Sequence, residues 1–547
     1  MKSFILKLTF LLAILILSSV AVQAQTTMGK DFYLSVGRNG VTVIGSLNLQ
    51  VRLVASRATT VTGTFAGGSG LNFTATLVAG EVRTINLTEA QRTAVYSRDT
   101  GRTSKSLRIQ STEPISVYVL SQALGTTDAT NVLPVDALGK EYYQISYAPY
   151  NASADAREDG YTVVATESGT DVSENGTLKT TLSAGQVYSF YYTGDMTGRR
   201  ITASKPVAYF VSNSSAHIPG GSTIAADCLF QQLMSVDRWG KNFFVPPTRR
   251  GIERVRIVAS ENGTTISQTG GSIITGSLSL SKGQFIELEI KLTSRGCYIA
   301  SNKPIGVCSY LPGYAYSGLT EQSGDPAIAW IPPVEQFVNL TTIAPFVPLN
   351  NSVLTNHYAL IIAATATRDQ TIMALGNSTT FTGLSGGSWT TGVGTPSYSF
   401  YSIPLTNQSY TFANPAGLAI MGYGLGTAES YYYLAGSAAR DLLAAFFVNG
   451  EHYLDVDGKK FCGIYDFHIT AQLENVNRGI AGYLKWFING TEQLSARDDE
   501  DWTLTLTAGS TNTIRMDVID LNGDTHSYST TISLCKLLLP INPHKLI

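Results

Sequence analysis

The sequence is short of charge. Lys, Arg, Asp and Glu make up 14% of its 547 residues, and 38 basic against 40 acidic side chains leave a net charge of −2. Nucleic acid and anionic membrane surfaces both require a basic face, so this balance argues against either as a partner. Cysteine is scarce too: the chain has 5, none of them in a Cys-x-x-Cys pair, which withholds support from a structural zinc site. The 6 histidines, His217, His357, His452, His468, His526 and His544, include no pair at i, i+4 around a glutamate, so the zinc-protease helix is missing. Sustained helical periodicity is absent, and the best helical candidate is the short segment 225–233. After residue 24 no apolar run reaches the roughly 20 residues that a membrane span needs.

What is present begins with an export pattern. Lys2 and Lys7 precede the apolar run 8–17, and Val22-Gln23-Ala24 offers small residues for processing. A signal peptide is expected over 1–24, with the chain continuing from Gln25. No cysteine follows the expected cleavage point, so a lipid anchor is not expected. The remaining length calls for several modules. With so little charge, the surface must be covered by Ser, Thr, Asn, Gly and Tyr. The 51 glycines and 28 tyrosines fit many turns and many strands.

Self-similarity carries most of the information. Gly-Lys before paired aromatics occurs at Gly29-Lys30-Asp31-Phe32-Tyr33, Gly139-Lys140-Glu141-Tyr142-Tyr143 and Gly240-Lys241-Asn242-Phe243-Phe244. Each is followed in order by Val54-Ala55-Ser56, Val164-Ala165-Thr166 or Val258-Ala259-Ser260, and then by Ala79-Gly80, Ala184-Gly185 or Lys282-Gly283. Last comes an apolar strand opened by proline, at Pro114, Pro206 or Pro304. Equivalent positions lie 92 to 110 residues apart, and a worn fourth copy includes Ile362-Ala363-Ala364 and Asn414-Pro415. The alternating β-branched segments read as strands, and those after the prolines are apolar on both faces, so each copy needs neighbours or a second layer. The expected fold is all-β: four tandem repeats of about 100 residues over 25–440, sandwich-like or alternatively propeller-like with about two blades per repeat.

These residues resemble the amino-terminal region of the IgG-Fc-binding-protein family. The resemblance rests on Leu133-Pro134-Val135-Asp136-Ala137-Leu138 before Gly139, on Val236-Asp237-Arg238-Trp239 before Gly240, and on Ile331-Pro332-Pro333-Val334-Glu335-Gln336-Phe337. It covers residues 29–436. It implies an extracellular, adhesive role of the kind found in surface proteins of the Bacteroidota, often followed by Ig-like modules. It does not imply that immunoglobulin is bound. The family often pairs an earlier cysteine with Cys228; Ser212-Asn213-Ser214-Ser215 stands there instead, which leaves Cys228 as the odd thiol.

The repeat stops near Arg440. Residues 441–547 have their own strand pattern, and Leu484-Lys485-Trp486-Phe487-Ile488-Asn489-Gly490 resembles the central Trp strand of Ig-like or PKD-like sandwiches. Cys462 and Cys535 flank this module, and a bridge closing that loop would contribute about 4 kcal/mol. Two separate buried thiols are the alternative, which export disfavours. Cys297 and Cys308 flank Ser301-Asn302-Lys303-Pro304 symmetrically, so a hairpin turning there would set them opposite each other as a second candidate pair.

Catalytic, cofactor and metal residues are not identified. Asp520, Asn522 and Asp524 match the start of a calcium loop, but Thr525 and Thr531 stand where a glycine and an acidic closer belong. A hairpin turn is the reading there. Asp498-Asp499-Glu500-Asp501 reads as a solvated loop. A glycosidase would need two carboxylates about 5–10 Å apart, and Glu335 is a candidate by position only. Tyr431-Tyr432-Tyr433 is either an aromatic platform or a strand alternating between core and surface. The leading expectation is a secreted or cell-surface, non-catalytic protein that binds an extracellular protein or glycan. The alternatives are a structural subunit of an envelope or fibre, and a polysaccharide-acting enzyme.

Overall fold

The computed structural model describes residues 26–536 except 41–45, 124, 153–154, 221–224, 347–352, 441, 443, 454–455, 474–475, 477 and 520–524. The segment 1–24 and the turn with Asp520, Asn522 and Asp524 lie outside the described residues. The regular structure described is almost entirely β, relieved by 3-10 turns and by the short α-helix Glu89–Thr93, which Thr88 and Gln91 cap reciprocally. The chain divides into compact units at Thr26–Ala439 and from Arg440 onward.

In the first unit one strand set occurs four times. Each copy opens with a first strand: Gly29–Leu34, Gly139–Tyr143, Gly240–Val245 or Val338–Ile343. A second strand follows: Asn48–Ala55, Asp159–Ala165, Ile252–Ala259 or Leu354–Ala364. The long strand comes next: Leu107–Ala123, Arg200–His217, Cys297–Leu311 or Tyr410–Gly426. An inner strand closes the copy: Thr126–Val132, Ala226–Gln232, Ala327–Trp330 or Glu429–Gly436.

The long strand serves two layers. In the second repeat Arg200, Ile201 and Thr202 pair with the first strand, while Val207 to Val211 pair with the second strand and Phe210 to His217 with the inner one. The sheet therefore curls over itself, and each repeat is one sandwich-like unit, not two blades. The register slips between Thr202 and Val207, where Lys205-Pro206 lies. A proline has no N–H to give a ladder, so it is tolerated at such a bulge. The same holds for Pro114 and Pro304, which sit in mid-strand and not at the strand starts expected of them.

The recurring glycines now have causes. A Cβ on Gly29, Gly139 or Gly240 would lie 2.3 Å from Pro134 Cβ, 2.3 Å from Ser235 Oγ or 2.4 Å from Pro333 Cβ. Those atoms begin the 3-10 turns Val135–Ala137, Val236–Arg238 and Val334–Gln336, which carry the chain out of each inner strand into the next repeat. Only glycine admits the crossing. Gly80, Gly185 and Gly283 instead need left-handed backbone, at φ +77°, +77° and +78°. Each donates its N–H to the alanine that ends the second strand, Ala55, Ala165 or Ala259, at 2.8–2.9 Å.

The four inner strands meet at the centre. Ala226–Gln232 lies beside Thr126–Val132, Ala327–Trp330 follows it, and Glu429–Gly436 returns to Thr126–Val132. Asp128 joins them: its Oδ2 accepts the amides of Phe230 (3.0 Å) and Ile328 (3.1 Å), and its Oδ1 those of Tyr432 (3.2 Å) and Ala129 (2.8 Å). The Thr27 amide donates to Ser437 O at 3.0 Å, so the start of the unit is stitched to its end and the ring closes. The segment 225–233, expected as helical, is the inner strand of the second repeat. Its amides are claimed by the long strand and by Asp128, and that tertiary pairing overrides local propensity.

The second unit has two sheets. Ala444–Val448, Asp466–Leu473 and Asp501–Thr505 form most of one; Thr525–Leu534, Thr511–Ile519 and Leu484–Ile488 form most of the other. They share a core in which Trp486 is fully buried and meets Phe446 edge-on at 5.4 Å. Cys462 and Cys535 are bonded, with Cα atoms 4.9 Å apart. They follow the parallel neighbours Lys460–Phe461 and Thr525–Leu534, so the bridge joins strands of one sheet and does not span the two.

Candidate ligand-binding cleft

The repeats differ most in the connection from long strand to inner strand. In the fourth it is the tight turn 427–428, while in the third it is the extended loop 312–326. Long irregular loops on rigid frames are where binding residues concentrate. This one is firmly held. Arg250, fully buried, donates to Pro312 O at 2.7 Å and to Ser323 O at 2.5 Å, so it grips both ends. Arg254 reaches Tyr316 Oη at 2.9 Å, and that hydroxyl donates to Glu289 at 2.8 Å. Gly313 donates to Ile218 O of the second repeat at 2.9 Å. Tyr314, in the turn that follows, is 43% exposed.

Beside this loop lies a cleft of about 500 Å³ between the third and fourth repeats. Thr248, Arg249, Thr320 and Glu321 line one wall, and Tyr401 and Ser402 line the other. Thr248 is fixed by Glu253, which accepts both its amide (2.9 Å) and its hydroxyl (2.6 Å). Burial pushes the Glu253 carboxyl up to about 7, against the pull of those bonds. Arg249 is exposed and its guanidinium lies 5.2 Å from the centre of the Tyr358 ring. Trp389 packs 5.7 Å from Tyr401 at the rim. Hydroxyls, one guanidinium, one carboxylate and an aromatic flank form a set that can hydrogen-bond and stack against a polar ligand.

The residues singled out by sequence fall elsewhere. Cys297 and Cys308 carry free thiols. No hairpin turns at Ser301–Pro304; the strand Cys297–Leu311 runs straight through, because Pro304 occupies a bulge, so the two cysteines are not opposite each other. Burial pushes the Cys297 thiol up to about 12, and it donates to Gly270 O at 3.1 Å. Cys228 is buried and free. Glu335 serves a repeat junction, accepting from Asn242 Nδ2 at 2.8 Å. Tyr431, Tyr432 and Tyr433 are all fully buried, which removes the platform. The run 498–501 is tied down: Asp498 accepts the Gly482 and Leu484 amides, Glu500 pairs with Arg478, and Asp501 with His468. A nucleophile-elbow spacing that the sequence reading missed, Gly383-Leu384-Ser385-Gly386-Gly387, lies in an exposed turn that leads to the strand Thr390–Thr391, not to a helix.

A closed ring of curled β repeats with a loop-flanked polar cleft defines a binding scaffold. The family described as IgGFc binding protein matches residues 128–424, and the chain belongs to that family. The human IgGFc-binding protein is 28% identical over 246 residues, which is 42% of this chain and 4% of that protein's length. Among solved structures, a tetra-tandem repeat from the extending region of a large adhesion protein shares 12% identity over 77% of this chain and 96% of its own, at a TM-score of 0.11. A calcium-stabilised adhesin with which an Antarctic bacterium binds ice shares 10% identity over 94% of this chain and all of its own, at a TM-score of 0.12. Neither likeness bears on the fold.

Proposed function

We propose that this is an exported, non-catalytic protein of a bacterial cell surface, of the Bacteroidota type, that binds an extracellular protein or glycan. Residues 1–24 act as the export signal, 25–440 as the binding region, and 441–547 as an Ig-like or PKD-like module. Membership in a family described by binding supports this reading. The observation that carries it is the pairing of the Arg250-stapled loop 312–326 with the cleft of Arg249, Glu321 and Tyr401. Rigid presentation lowers the ordering cost of binding.

The test uses the full chain after export. Glycan arrays and pull-downs from serum and mucus should return a ligand. The double substitution Arg249→Ala, Glu321→Ala should weaken its binding at least tenfold, about 1.4 kcal/mol, without shifting Tm. Unchanged affinity would move the site away from the cleft. The absence of any ligand from all three sources would count against adhesion altogether.

A further inference from the structure

Where the four inner strands meet, each repeat contributes one buried carboxyl: Asp128, Asp227, Asp325 and Glu429, all at most 3% exposed. Thr127 ties two of them together. Its amide donates to Asp227 Oδ1 at 2.6 Å, and its hydroxyl donates to Glu429 Oε2. Asp227 Oδ1 also accepts the Cys228 amide at 2.7 Å, and Glu429 Oε1 accepts the Gly125 amide at 3.0 Å. Two oxygens are left over: Asp227 Oδ2 and Asp325 Oδ1 are buried with no hydrogen-bond partner among the described residues. Two buried carboxylate oxygens without a hydrogen-bond partner among the described residues are costly to keep ionised.

We propose that this four-carboxyl junction is a proton-operated latch, which takes up protons in mildly acidic surroundings and so tightens the closed ring and the base of loop 312–326. Like charges crowded into one buried site cannot all ionise. Asp128 accepts four amides, which oppose burial without outweighing it, so its carboxyl too is held well above the usual range. Burial first, then the charges of Asp325 and Glu429, hold the Asp227 carboxyl well above the usual range. Burial pushes Asp325 up to about 7 although Arg250 faces it, and burial raises Glu429. Other ionisable groups face the cluster. The Cys228 thiol feels Asp227, Asp128 and Glu429, with Tyr96 beyond it. Arg250 is shared with Glu253 and Glu321.

The sign follows from these directions. A carboxyl held high in the folded ring is more protonated there than in the unfolded chain, so folding takes up protons. The stabilisation is complete below the ordinary carboxyl range near 3.8 and is lost as pH rises through about 7. Asp325 ends the long loop, its amide donates to Ser430 Oγ at 2.7 Å, and Arg250 grips the same loop, so the junction and the loop's base move as one. Buried His357 acts in the opposite sense at acid pH, so the readout must be local and comparative.

Hydrogen exchange of the full chain, corrected for intrinsic rates, tests the latch on the amides of Thr126–Val132, Ala226–Gln232 and Glu429–Gly436. Protection should be about tenfold greater at about pH 5.5 than at about pH 8. Asp227→Asn keeps the acceptor for Thr127 and Cys228 and places an NH2 where Oδ2 was bare. It should raise protection at the higher pH and cut the ratio below about threefold. If that variant does not fold, Glu429→Gln carries the same comparison. Equal protection of the unaltered chain at both pH values, or a ratio untouched by the substitution, overturns the proposal.

Discussion

The amide of Tyr432 donates to the carboxylate of Asp128 across 304 residues of sequence, at 3.2 Å. That single acceptor also holds amides from the second and third repeats, so one side chain gathers strands from all four. Replacing Asp128 by alanine would strand four buried N–H groups. At about 1–3 kcal/mol each, the loss is on the order of 4 kcal/mol or more, a large share of any domain's stability. Urea unfolding followed by tryptophan emission should show the ring's midpoint collapse, or no folded ring recovered at all. A loss under about 1 kcal/mol would deny Asp128 this organising role.

Gly139→Ala makes a sharper test of how the repeats connect. Its Cβ would stand 2.3 Å from Ser235 Oγ and 2.5 Å from Ser235 Cβ, at the turn into the third repeat. Overpacking of that kind costs about 1–3 kcal/mol. Gly386, which has nothing within 4 Å of a built Cβ, is the control. Thermal melting should separate the two substitutions by several degrees, with Gly386→Ala near the unaltered chain.

What could be read from the sequence was local. Gly29, Gly139 and Gly240, the Ala-Gly turns and the prolines are backbone signatures that repeat with their strands, so they revealed an all-β array. What lay hidden was long-range. Ser301-Asn302-Lys303-Pro304 has turn residues, yet the strand runs through it, since the partner strands across the bulge are set by tertiary pairing. Asp128, Asp227, Asp325 and Glu429 recur every 98 to 104 residues, a periodic acidic signal that was present but hard to weigh. Aspartate in a β protein usually marks a turn, and only the meeting of the inner strands turns it into a buried junction. Loop 312–326 drew no notice in the sequence, because its rigidity depends on Arg250, some 62 residues before Pro312.

His357 offers a pH test independent of the carboxyls. Burial, and then the charge of Arg52, push its imidazole down to about 4 from an ordinary 6.5, while Nδ1 sits 2.8 Å from Tyr431 Oη. The ring stays neutral in the folded chain but would charge on unfolding. Its contribution to stability is therefore whole above pH 6.5 and lost as pH falls through 6.5 toward 4. NMR of the imidazole protons should find His357 neutral at about pH 5.5. A midpoint for His357 near the ordinary value would contradict the packing around Tyr431.

The bridge between Cys462 and Cys535 closes a loop of 73 residues. Constraining an unfolded loop of that size contributes on the order of 4 kcal/mol. Both cysteines end neighbouring strands of one sheet, so cutting the bond leaves both core faces of the sandwich in place, with Trp486 still packed on Phe446. Cys462→Ser with Cys535→Ser should consequently yield a unit that folds but melts earlier. Exchange of the Thr511–Ile519 amides should rise roughly a hundredfold or more, as a loss of that size implies. The amides of Leu107–Ala123 in the ring report on the specificity of the effect, and should keep their protection. A variant whose Thr511–Ile519 amides exchange no faster than before would show that the packed core, and not the bridge, sets the stability of this unit.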